Sequence, residues 1–121
     1  NAGHNPPLMI KKGQKVEYLK LAKGPAVGVV ENIEYKKESL ILKPGDAIYM
    51  YTDGVTEAFN DRDEEFSEKR LLETIELYRD EEAKDLLRKT LQVVHDFSQG
   101  VPQSDDITML VLKYSGGIIK K

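Results

Sequence analysis

The sequence contains no cysteine. That absence excludes a disulfide scaffold, a zinc–thiolate or iron–sulfur site and a thiol nucleophile. It also fits a reducing compartment, and a cytoplasmic location is the expectation. Long apolar runs are lacking: none approaches the roughly 18 residues of a membrane span, and no signal-peptide pattern opens the chain. There is no surplus of positive charge, with 18 Lys and Arg against 21 Asp and Glu and a net charge of −3. Nothing therefore offers a basic footprint to nucleic acid or a basic stripe to an anionic membrane. The aromatic residues are not interleaved with basic ones, which argues against single-stranded nucleic acid. Two catalytic signatures are missing as well. Without a Gly-x-Ser-x-Gly elbow, His4 and His95 have no serine nucleophile to serve, and no Gly-rich loop of the P-loop or Rossmann type cradles a phosphate.

What is present is globular. The chain has 121 residues, 40% hydrophobic and 32% charged, enough for one domain and one core. No internal repeat, low-complexity tract or linker divides it. The opening Asn1-Ala2-Gly3-His4-Asn5-Pro6-Pro7 reads as the interior of a domain. The expectation is a piece of a longer protein that holds only part of a site.

The pattern predicts strands first. Pro6 and Pro7 cannot sit in a central strand. Leu8-Met9-Ile10 is a short strand, Lys11–Gln14 a hairpin turn, and Val16–Leu19 the return. Residues 33–42 lean toward a further strand by partial alternation. Lys43-Pro44-Gly45-Asp46 is a turn by composition. Ala47–Thr52 is so continuously apolar that burial on both faces is expected, and Asp53-Gly54 ends it as a turn. Two helices follow. Ser67 caps the first, with Leu71, Leu72, Ile75 and Tyr78 at helical spacing. Asp80 caps the second, with Ala83, Leu87, Leu91 and Val94 as its apolar face, and Gly100-Val101-Pro102 stops it. Ile107–Leu112 is the last strand, and residues 115–121 read as a loose tail. Strands grouped before helices predict an α+β fold, antiparallel with helices over one side.

Two acidic clusters stand at strand ends: Thr52-Asp53-Gly54 after one apolar strand and Ser104-Asp105-Asp106 before the last. If those strands are antiparallel neighbours, Asp53 and Asp105 face each other at one rim of the sheet. Converging carboxylates repel unless a cation neutralises them, and an oxygen-only set suits a hard ion such as Mg²⁺ or Mn²⁺. The bland alternative stays open. Asp-Gly after a strand is also an ordinary turn, and an Asp pair before a strand also serves as a solvated or gatekeeper charge.

Four segments together resemble the metal-dependent protein serine/threonine phosphatases of the PPM superfamily, in their bacterial SpoIIE/RsbU-like branch. They are Asn1–Leu8, Lys43–Asp46, Tyr51-Thr52-Asp53-Gly54-Val55-Thr56-Glu57-Ala58, and Ser104-Asp105-Asp106-Ile107-Thr108. The likeness runs over residues 1–114, as the C-terminal part of such a domain. It implies part of an α-β-β-α sandwich, two antiparallel sheets flanked by helices with two Mg²⁺ or Mn²⁺ ions at one end. It implies hydrolysis of phosphoserine or phosphothreonine through a metal-activated water, with Asp53 and Asp105 as metal ligands. Asp106, Glu57, Gly54 and His4 become supporting positions. Asp106 falls where many relatives have Asn, His4 where other relatives carry an Asp for an additional metal, and Ser67 where many have Gly. The substrate implied is a phosphorylated regulatory protein, commonly an anti-sigma-factor antagonist. The family's other ligands, an Asp and an Asp-Gly pair, precede the segment matched by Asn1–His4. This chain alone is therefore expected to hold about half the site, to bind metal poorly, and to expose a sheet edge that invites an edge-strand homodimer. The alternative is a non-catalytic, phosphatase-like domain that binds a partner protein.

Overall fold

Two prolines end the opening loop, and the apolar triplet behind them forms β1 (Leu8–Ile10) in a computed structural model that describes residues 1–20 and 24–117. A turn closed by Gln14 N–H donating to Lys11 O (3.1 Å) leads back into β2 (Glu17–Tyr18). Then come β3 (Ala47–Tyr51) and a single helical turn, α1 (Asp53–Thr56). After it follow α2 (Ser67–Tyr78), α3 (Ala83–Phe97) and β4 (Met109–Lys113). The four strands form one antiparallel sheet in the order β2-β1-β3-β4. The α+β reading with helices beside an antiparallel sheet is thus the observed architecture.

The core lies between one face of the sheet and the helices. Leu8, Ile10, Ala47, Tyr49 and Tyr51 meet Val55, Phe66, Leu71, Ile75, Leu86 and Val94 there. Full burial of each large apolar side chain contributes about 1.5–3 kcal/mol. Phe66 and Phe97 pack edge to face at 5.4 Å, which fastens the start of α2 to the end of α3. Burial also pushes the Tyr49 hydroxyl up to about 12.

The other face of the sheet is open. Ile48 and Met50 are half-buried, while Leu110 and Leu112 are 56% and 53% exposed. With Pro7, Leu19 and Leu40 they line an apolar groove of about 410 Å³. The expectation that β3 is buried on both faces is therefore corrected: within the described residues its side chains alternate between buried and half-buried.

Other elements depart from the sequence reading. Residues 33–42 form no strand and are mostly exposed, Ile41 by 89%. Their alternation is interrupted by Lys36-Lys37-Glu38. Asp53-Gly54 is not a simple turn but the start of α1. The cap position of α3 is Glu82, two residues after Asp80. Its buried row is Leu86, Thr90 and Val94, about one residue away from the face read from the sequence, which leaves Leu87 and Leu91 half-buried. The predicted return strand contracts to Glu17–Tyr18, and the last strand is shifted to Met109–Lys113. Ser67 Oγ does accept from Arg70 N–H at 3.5 Å, but Ser67 itself sits at φ +74°, the left-handed region that favours glycine. Of the tail, residues 118–121 lie outside the described residues.

Asp46 pins two turns together. Its carboxylate accepts from Lys43 N–H (2.9 Å) and Lys12 N–H (3.3 Å), joining the loop after β1 to the turn before β3. These bonds, the one from Lys43 first, hold its pKa below the ordinary 3.8. Stability from this group is therefore present above that value and lost as pH falls through the folded pKa. Asp46→Asn is expected to lower the melting temperature by several degrees at neutral pH. The gap to the unmodified chain should close in acid below pH 3.8, measured by melts across pH.

Candidate metal centre

β3 and β4 run antiparallel with Tyr51 opposite Met109. The chain leaving β3 therefore lies beside the chain entering β4. Thr52 ties the two together: its N–H donates to Thr108 O (3.0 Å), its Oγ1 accepts from Thr108 N–H (3.0 Å), and its hydroxyl donates to Asp106 O (2.9 Å). Gly54 lets them close completely. A Cβ placed there would lie 2.2 Å from Asp106 O, 2.6 Å from Asp106 C and 3.0 Å from Asp105 O. Glycine is required here by close backbone approach.

The two acidic segments, 52 residues apart in sequence, thereby share one rim. Asp53 opens α1, and its Oδ1 accepts from Asn5 Nδ2 at 2.8 Å. Asp105 Oδ1 accepts from Asp106 N–H at 2.7 Å, and the Asp105 carbonyl accepts from Gln103 Nε2 at 2.8 Å. In each carboxylate one oxygen is thus tied down, and among the described residues no donor reaches Oδ2. Both acids are solvent-exposed. Glu57, one turn beyond Asp53, registers the crowding: its pKa is raised, chiefly by the Asp53 charge, with Glu65 and Asp105 adding to it.

The supporting positions divide. Gly54 is the cradle. Asp106 contributes through its backbone, as the acceptor for Thr52 and the wall against Gly54. Among the described residues His4 makes no hydrogen bond or ion pair with either acid; its Nδ1 lies 3.0 Å from Asn5 O. A carbonyl only accepts, so that ring nitrogen carries the hydrogen. Asn5, inside the Asn1–Pro7 segment, joins this rim through its side chain, a role that no pattern in the sequence marks. His95, near the end of α3, is exposed. With Phe59 and Gln103 it walls a cleft of about 300 Å³ that opens beside Gly54 and Ser104.

Among the described residues no three His, Cys, Asp or Glu side chains are grouped so as to hold a metal ion. What the chain offers is two exposed carboxylates on backbone segments that meet at Gly54. Its chemistry, oxygen donors only, fits a hard divalent cation and not a soft metal. A pair is an incomplete set for Mg²⁺, which dehydrates reluctantly.

Residues 1–115 match the family model described as Stage II sporulation protein E (SpoIIE). The chain is 35% identical over 114 residues to Protein IcfG of Synechocystis sp. (strain ATCC 27184 / PCC 6803 / Kazusa), a match covering 93% of this chain and 17% of that protein. It is 29% identical over 117 residues to the phosphoserine phosphatase RsbU of Bacillus subtilis (strain 168), covering 93% of this chain and 33% of RsbU. Among solved structures, the phosphatase domain of the cell fate determinant SpoIIE from Bacillus subtilis (manganese-presoaked) superposes with a TM-score of 0.71 at 18% identity. That superposition covers 99% of this chain and 51% of the other, and it supports the fold. The chain thus spans a third or less of its curated relatives.

Proposed function

The chain belongs to the SpoIIE family, and we propose that its residues 1–114 are the C-terminal part of a metal-dependent phosphoserine/phosphothreonine phosphatase domain. One observation carries the proposal: the Asp105-Asp106 backbone packs onto Gly54, which puts Asp53 and Asp105 on one rim. In this reading each acid contributes a carboxylate oxygen to Mg²⁺ or Mn²⁺. When bound, such ions would offset the charge of a phosphomonoester and lower the pKa of an attacking water. The chain's own residues do the positioning. Thr52 fixes the spacing of the two segments, Gly54 admits the closure, and the cleft beside Ser104 gives room for substrate flanking the phosphate. The substrate is a phosphorylated regulatory protein, with an anti-sigma-factor antagonist as the first candidate, and the setting is cytoplasmic. Among the described residues no helix is long and apolar enough to cross a membrane.

The open apolar face of β3 and β4 is read as the seat of the second sheet of the sandwich. In this chain alone, that face and the β4 edge would favour a homodimer.

The test is hydrolysis of a phosphoserine protein by the full-length protein with Mn²⁺ and with a chelator. Mn²⁺-dependent release of phosphate is expected, with little or none from these 121 residues alone. Hydrolysis that ignores the chelator, or none by the full-length protein, overturns the reading. Among the described residues no three-residue ligand group is formed, and one second reading stands beside the first: a partner-binding domain without catalysis. It prevails if the residues before Asn1 lack the Asp and the Asp-Gly pair.

A further inference from the structure

We propose that Asn5 is the positioning residue for Asp53, and that the Asn1–Asn5 loop exists to hold it there. The inference rests on the reading of Asp53 as a metal ligand and adds a residue to which that reading gives no role.

The loop is braced at every step. Asn1 clamps it from within: its Oδ1 accepts from His4 N–H (2.8 Å) and its Nδ2 donates to His4 O (3.0 Å). Asn1 O accepts from Gly24 N–H (2.8 Å), and Ala2 forms a bridge with Gly24, so the loop is also anchored to a distant segment. Gly3 stands at φ +86°, with the place of its missing Cβ only 3.0 Å from Ala26 N. His4 Nδ1–H donates to Asn5 O at 3.0 Å. Pro6 and Pro7 restrict the backbone on the far side of Asn5. The free end of this braced loop is the Asn5 amide, and it donates to Asp53 Oδ1 across 48 residues of sequence at 2.8 Å.

The choice of an amide has a physical reason. A carboxylate on an exposed rim swings about χ1 and χ2, and a ligand that swings must be ordered when it binds. A neutral N–H donor holds one oxygen without adding charge. Lys or Arg at this place would compete with a cation for Asp53, and another carboxylate would repel it. Asp105 is held in the same manner by the Asp106 N–H on its own Oδ1. Hydrogen-bond partners of this kind orient metal ligands, and their loss typically costs about 10–100-fold in metal affinity.

The experiment is a Mn²⁺ titration of the full-length protein, read from the EPR signal of free Mn²⁺, for the unmodified sequence, Asn5→Ala and Asn5→Leu. Asn5→Leu keeps the bulk and removes the donor. Both variants are expected to lose about 10–100-fold in Mn²⁺ affinity with melting temperatures near that of the unmodified protein. If Asn5→Leu binds Mn²⁺ as the unmodified protein does, the residue serves packing and the proposal is overturned. If the unmodified protein binds no Mn²⁺, the metal reading itself falls and this inference with it. If Asn5→Leu fails to fold, Asn5→Ala decides alone, and undiminished binding overturns the proposal.

Discussion

Replacing Gly54 with alanine is expected to cost about 3 kcal/mol or more, the upper part of the range for overpacking a closed site. The added methyl group would lie 2.2 Å from Asp106 O and 2.6 Å from Asp106 C, and both are backbone atoms. No rotamer can relieve such a clash, so a segment has to move. Movement is resisted on both sides. Asp106 O accepts from the Thr52 hydroxyl, and Thr52 and Thr108 exchange two further hydrogen bonds. Alanine therefore either breaks this knot or pushes α1 away from the entry to β4. Either way the Asp53–Asp105 rim opens. In the full-length protein the loss of Mn²⁺ affinity should accompany a fall in melting temperature of roughly 10 °C. Gly117→Ala, where nothing lies within 4 Å, is the control and should change little. A Gly54→Ala protein that melts like its parent would show that the two segments do not pack as described.

The same closure explains what was legible from sequence. β1, β3 and β4 are apolar runs with turn residues at their ends, and α2 and α3 carry apolar residues at helical spacing; local pattern suffices for such elements. That the segments of Asp53 and Asp105 meet was legible because acids next to strand ends become neighbours once the strands pair antiparallel. The outer face of the sheet misled for an equally physical reason. Ile48, Met50, Leu110 and Leu112 have the composition of a doubly buried layer whether or not the covering layer belongs to the same 121 residues. The row of α3 shifted because Leu86 and Leu87 are adjacent and identical, so the sequence cannot say which one faces the sheet. Asp80 and Glu82 are both acceptable near a helix start, and the backbone, not the composition, decides between them. Asn5 had no local signal at all. Its partner lies 48 residues away, and only the pairing of β1 with β3 brings that loop beside α1.

Asp53→Asn and Asp105→Asn, each made in the full-length protein, should separate the charge of these residues from their shape. An asparagine keeps the carbonyl oxygen that accepts from Asn5 Nδ2 or from Asp106 N–H, so the local hydrogen bonds can persist. What disappears is one negative charge from a rim where Asp53 and Asp105 already raise the pKa of Glu57. Less repulsion in the metal-free state means that neither variant should melt below its parent, and Asp53→Asn, which removes the larger influence on Glu57, should melt slightly above it. Turnover should move the opposite way. Metal-assisted charge stabilisation is worth several kcal/mol, which at 1.36 kcal/mol per tenfold is on the order of 10²–10³ in rate. Asp106→Asn is the internal comparison. Asp106 acts through its carbonyl and amide groups, so its side-chain change should leave turnover within a few-fold. A stable Asp53→Asn enzyme with undiminished Mn²⁺-dependent turnover would remove the rim from the chemistry. A loss in Asp106→Asn as deep as in Asp105→Asn would move the ligand one residue along the chain.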